Sequence, residues 1–106
     1  MIPIIILYVT SSYGQAKNII QQIQDMFDNC IIDNRNLIVN TGHAKIILYP
    51  IMSVNSLLID RHTQYIIDNG YNYRYHDEKM RVIRCRMMNE PEEIDESEMW
   101  RMLGVE

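Results

Sequence analysis

Residues 4–27 read IIILYVTSSYGQAKNIIQQIQDMF, from Ile4 to Phe27. The run Ile4 to Val9 is apolar throughout, without alternation. A strand with one face in water would carry polar residues at every second position. This one is therefore expected to be covered on both faces, as in the centre of a parallel or mixed sheet. Thr10-Ser11-Ser12-Tyr13-Gly14 interrupts the run. Beyond it, Ala16, Ile19, Ile20, Ile23, Met26 and Phe27 follow a three-four spacing and predict one apolar helix face. Gln15, Asn18, Gln22 and Asp25 are expected to point outward. Ser11 or Ser12 suits the helix N-cap through its hydroxyl. Asp28-Asn29 ends the helix, because both residues tolerate turn geometry.

A buried strand that turns directly into an amphipathic helix is also where nucleotide-binding proteins place a phosphate loop. Such a loop needs several glycines so that backbone N–H groups can wrap the phosphates, followed by Lys and Ser/Thr. Here there is one glycine, Gly14, and Lys17 already lies inside the predicted helix. Thr10 to Gly14 therefore reads as a turn that starts a helix.

Working outward, Cys30-Ile31-Ile32 and Asn36 to Val39 are short apolar stretches split by DNR. NTGH at Asn40 to His43 carries turn chemistry, with Gly42 able to take positive φ. Residues 37–51 are thus expected to form a hairpin, with Pro50 at its end or on an edge. SVNSLLIDRHTQYIIDNG, Ser53 to Gly70, fits two patterns. As a helix, Leu58, His62, Tyr65 and Ile66 share a face and Gly70 is a left-handed cap. As a turn plus strand, Gln64 to Ile67 is a short β segment. Tyr71, Tyr73 and Tyr75 alternate with polar residues, and Met80 to Met88 is rich in Val, Ile, Cys and Met, which predicts a second hairpin. The fold class expected is α/β, with α+β as the alternative. It is a single small domain with a mixed sheet, one long N-terminal helix and a short C-terminal helix. The core is assigned to residues 1–88. Residues 89–106 are assigned to an acidic linker and an amphipathic helix containing Ile94, Met99, Trp100, Met102 and Leu103.

The chain has 106 residues and 47% hydrophobic residues, enough for one real core. No apolar run approaches the ~20 residues of a membrane helix, and the first strand lacks the flanks of a secretory signal. No membrane partner and a cytoplasmic location are the expectation. Cys30 and Cys85 are expected to be reduced. The abundance of Ile, Asn, Tyr and Met beside few Ala, Gly and Pro fits an AT-rich source such as a phage or mobile element. Net charge is −4, and EPEEIDESE from Glu90 to Glu98 holds six carboxylates and no base. Residues 1–89 are slightly positive.

The blocks ILYVTSSYGQAKNIIQQIQDMF, NLIVNTGHAKIILYPI and SLLIDRHTQYIIDN, in that order, resemble part of the RecA-type ATPase core of phage terminase large subunits and related helicases. The resemblance spans about residues 4–69. It places Val9, Thr10, Gln15 and Ala16 on the first block and Gly42 and Ile46 on the second. Ile66, Ile67 and Asp68 fall on the third, the magnesium-binding strand of that family. No phosphate loop is expected ahead of the first block, and Asn69 follows Asp68 where the family carries Glu. The resemblance then implies a motor-core relative with fold kept and ATP hydrolysis lost.

The residues offer two candidate sites. The leading one is the tail of a non-enzymatic interaction protein that binds and modulates a protein partner. Met99, Trp100 and Leu103 would dock, because tryptophan is a frequent interface anchor. Glu92, Glu93, Asp95 and Glu96 would steer towards a basic surface. The alternative is a nucleic-acid module in which Tyr73, Arg74, Tyr75, Arg84 and Arg86 lie on a strand pair, rings stacking bases and guanidinium groups holding phosphates. A homodimer through an exposed strand at 80–88 is a further option. His43, His62 and His76 show no ligand-pair spacing, so no metal, cofactor or catalytic set is assigned.

Overall fold

The computed structural model describes residues 3–105. Six strands form one sheet: β1 (Ile4–Thr10), β2 (Ile31–Asp33), β3 (Ile38–Asn40), β4 (Ala44–Pro50), β5 (Tyr65–Asp68) and β6 (Glu92–Glu93). Their order is β2-β3-β4-β1-β5-β6. β4, β1, β5 and β6 run parallel, while β2 and β3 add an antiparallel ribbon at one edge. Three helices cover the sheet: α1 (Tyr13–Met26), α2 (His76–Cys85) and α3 (Glu96–Met102). The architecture is α/β with a mixed sheet.

β1 is central, and the reason is in its composition. Parallel strands are joined by crossovers that cover both sheet faces, so both sets of side chains must be apolar. Ile6 and Tyr8 turn to one side, where Ile46, Leu48 and Ile67 meet Ile19, Ile20 and Ile23 of α1 and Met99 of α3. Leu7 and Val9 turn to the other, where Ile47, Tyr49 and Ile66 meet Met80 and Ile83 of α2. α1 starts as expected: Ser12 is the N-cap, its hydroxyl accepting from Gln15 N–H at 3.0 Å. Met26, expected on the apolar face, is exposed, while Ala16, Ile19, Ile20 and Ile23 are buried. The β3–β4 hairpin forms with Gly42 at φ 90° and Pro50 as the last residue of β4.

The segment 53–70 resolves in favour of the strand. A single 3-10 turn, Ser56–Leu58, precedes β5, which pairs with β1. Gly70 is not a left-handed cap. Its role is close approach, since a Cβ there would lie 2.6 Å from Ile51 Cδ1.

The second hairpin expected at 71–88 is a turn followed by α2. Met80, Ile83 and Met87 recur at helical spacing and face the sheet, and Asp77 and Glu78 in the first turn complement the helix dipole. No strand exists at 80–88 to pair two copies. The segment expected as linker and tail is also integral. β6 hydrogen-bonds to β5, and Ile94, Met99 and Leu103 lie in the core on the α1 side. Among the described residues no helix is long and apolar enough to cross a membrane.

Candidate functional site

Because β4, β1, β5 and β6 are parallel, the segments that follow them emerge at one edge of the sheet. α1 follows β1 onto one face and α2 follows β5 onto the other. Two adjacent parallel strands whose connections leave in opposite directions open a crevice beyond their carboxyl ends. Here that crevice lies between Thr10 of β1 and Asp68-Asn69 at the end of β5.

The chain's own polar groups bind one another there. Thr10 Oγ1 donates to Ser12 O at 2.9 Å, and Ser11 N–H donates to Gln15 Oε1 at 2.7 Å. Together with the Ser12 cap, these bonds occupy donors that a phosphate loop would turn towards its ligand. Tyr8, fully buried in β1, is a hub. Its hydroxyl accepts from Asn69 Nδ2 at 2.6 Å and donates to Glu96 Oε1 of α3. Burial, and after it the Glu96 hydrogen bond, raises the Tyr8 pKa above its ordinary 10.0. Glu96 also accepts from Trp100 Nε1 at 3.3 Å. The bond set links α3 to the ends of β1 and β5.

On the opposite face His76 opens α2. Its Nε2 lies 2.6 Å from Asp68 Oδ2 and its Nδ1 lies 3.0 Å from Asp77 Oδ1. The Asp77 hydrogen bond, assisted by Asp68 and opposed by burial, raises the His76 pKa above 6.5. Lys79 donates to Ser53 O and lies over the Tyr49 ring, 5.8 Å from its centroid. Tyr49, whose pKa is raised by burial, donates to the same Ser53 carbonyl at 3.0 Å. These contacts fasten the β4 exit loop to α2.

That loop then carries apolar side chains into solvent. Val54 is 92% exposed and Leu57 86%, with Met52 and Tyr13 also exposed. Tyr13 lines one small cavity together with Ser53, Asn55 and Leu58, so the first residue of α1 adjoins the loop. Nothing periodic marks Val54 and Leu57. The one trace of them in the sequence is two large apolar residues among Ser53, Asn55 and Ser56, where a loop would normally be polar.

The residues expected to act in the tail are placed differently from one another. Met99 and Leu103 are buried against the sheet and α1, so they present no free docking surface. Trp100 is half-buried beside Gln22, Met26 and Arg101. Asp95 caps α3 by accepting from Glu98 N–H at 2.8 Å, Glu96 holds Tyr8, and Glu93 lies 3.8 Å from Arg84. Glu92 is exposed on β6.

The tyrosine and arginine set does not share a strand. Tyr73 packs partly on the core, and Arg74 stacks on Tyr75 at 5.3 Å. These three precede α2, whereas Arg84 lies in its last turn and Arg86 caps it. His43 and His62 sit near the amino ends of β4 and β5, away from His76. Among the described residues no group of three or more His, Cys, Asp or Glu could hold a metal ion. Cys30 and Cys85 are free thiols. No known protein family, curated protein or solved structure matches this chain.

Proposed function

We propose that this chain is a non-enzymatic interaction protein that binds and modulates a protein partner through the carboxyl edge of its sheet. The supporting observation is the loop after β4, which holds Val54 and Leu57 almost wholly in water while its Ser53, Asn55 and Leu58 adjoin Tyr13. Single exposed apolar residues are ordinary, but several within one short fastened loop, here Met52, Val54 and Leu57, are a mark of an interface. Small-molecule sites are concave and enclose their ligand, whereas Val54 and Leu57 are almost wholly exposed, so the fitting occupant is a protein that offers an apolar pocket for the loop.

The test compares two substitutions in cells that express the protein. The double change Val54→Asp and Leu57→Asp abolishes co-purification of the partner while thermal stability stays within about 0.5 kcal/mol, because exposed positions contribute little to folding. Trp100→Ala leaves capture intact. Loss of capture with Trp100→Ala and retention with the loop variant would instead put the contact on α3.

A further inference from the structure

The charge of this molecule is unevenly divided. From residue 61 to residue 89 six bases stand against three acids, while the whole chain is −4. The bases gather on and around α2. Arg84 is engaged by Glu90 and Glu93. Among the described residues, Arg61, Arg74, Arg81 and Arg86 form no ion pair. All four are exposed.

Their placement follows α2 from end to end. At its amino end a cavity of about 400 Å³ is lined by Tyr71, Tyr73, Arg74 and Tyr75 together with His76, Asp77 and Glu78. Tyr71 is 67% exposed and Tyr75 53%. Tyr73 and Tyr75 meet edge to face, with centroids 6.2 Å apart, which holds the Tyr75 ring in place. At the carboxyl end Arg61 and Arg86 line a second cavity, of about 540 Å³. Arg81 is exposed on the helix between them. The ten residues of α2 span about 15 Å at the ordinary helical rise. Two accessible aromatic rings at one end of α2, with unpaired guanidinium groups spread along its length, are what an unpaired nucleotide strand requires. Bases stack on the rings and phosphates pair with the guanidinium groups. A folded acidic protein would use the arginines and leave the rings idle. Asp77 is engaged with His76, which leaves Glu78 as the one opposing carboxylate on the first turn.

We propose that the outer face of α2 binds single-stranded nucleic acid, with Tyr71 and Tyr75 stacking bases and Arg74, Arg81, Arg86 and Arg61 holding the backbone. This goes beyond the protein contact at the β4 exit loop and uses different residues.

The experiment is fluorescence anisotropy of a labelled oligothymidine, a duplex of equal length and a polyglutamate peptide, each titrated with the full chain across a salt series. The oligothymidine binds, and log affinity falls with log salt at a slope of about −2 to −3, the value for three or four phosphates on a single strand. Tyr75→Ala and Tyr71→Ser each weaken it about tenfold, as loss of one stacked base does. Arg81→Glu and Arg86→Glu each weaken binding and flatten the slope by about 0.7. Lys17→Glu, on α1, changes nothing. Circular dichroism of each variant confirms folding, and the two tyrosine variants report independently should one fail to fold. Absence of binding at low salt overturns the proposal. So does binding that Lys17→Glu weakens as much as Arg81→Glu. Polyglutamate binding as tight as oligothymidine, or tighter duplex binding, with no effect of either tyrosine, overturns it in favour of a general acidic surface.

Discussion

The two layers on the sheet are anchored to the same three central strands, yet they are built differently. On one side α1 and α3 cover Ile6, Tyr8, Ile46 and Leu48, and a buried phenol joins α3 to the strand ends through Glu96 and Asn69. On the other a single ten-residue helix, α2, covers Leu7, Val9, Tyr49 and Ile66. Its polar contacts, His76 to Asp68 and Lys79 to Ser53, lie nearer the surface. The first side spends its carboxylates on structure: Asp95 caps a helix and Glu96 holds Tyr8. The second leaves four arginines without ion partners among the described residues. An acidic composition thus conceals a set of exposed, unpaired arginines around α2, although Arg84 and Lys79 there are engaged.

The strongest test of this contrast is Met99→Ala. Met99 is fully buried in α3, so truncation should cost about 2–5 kcal/mol, the range for large-to-small changes in a core. Urea unfolding followed by the fluorescence of Trp100 measures it. A cost near zero would mean that α3 is an appendage and that the two layers do not differ as described. Next comes Tyr8→Phe. It keeps the ring and removes the hydroxyl that Asn69 and Glu96 share. The expected loss is about 1.5–3 kcal/mol, since one partner is a carboxylate. An unchanged midpoint would show that the linkage between the strand ends and α3 has no energetic weight.

The smallest effect is on the α2 side. The folded-state pKa of His76 is raised above 6.5, chiefly by Asp77 and then by Asp68. The folded protein therefore binds this proton more tightly than the unfolded chain. The stability it contributes is fully present below pH 6.5 and is lost as pH rises through the raised folded value. Thermal unfolding across that window should show a decline that His76→Gln abolishes. An identical pH profile in the variant would remove the ion pair from the account of how α2 is fastened.

Sequence alone determined β1, α1 and the β3–β4 hairpin, because each is a local pattern. Ile4 to Val9 lacks alternation, Ala16 to Ile23 keeps a three-four period, and Thr41-Gly42 turns the chain. α2 departs from the sequence pattern for a physical reason. Tyr71, Tyr73 and Tyr75 alternate as a strand would, and this hid the helical recurrence of Met80, Ile83 and Met87. The acidic stretch after Asn89 reads as a linker because its charge is obvious and its partners are distant. Glu96 meets Tyr8 across 88 positions, and Asn69 meets Tyr8 across 61. Only the tertiary structure decided that Met99 and Leu103 are core, that Val54 and Leu57 are bare, and that Arg61 meets Arg86 at the carboxyl end of α2. Periodicity reports which face of an element is apolar. Which elements meet is set by packing between residues far apart in the chain, and no local pattern encodes that.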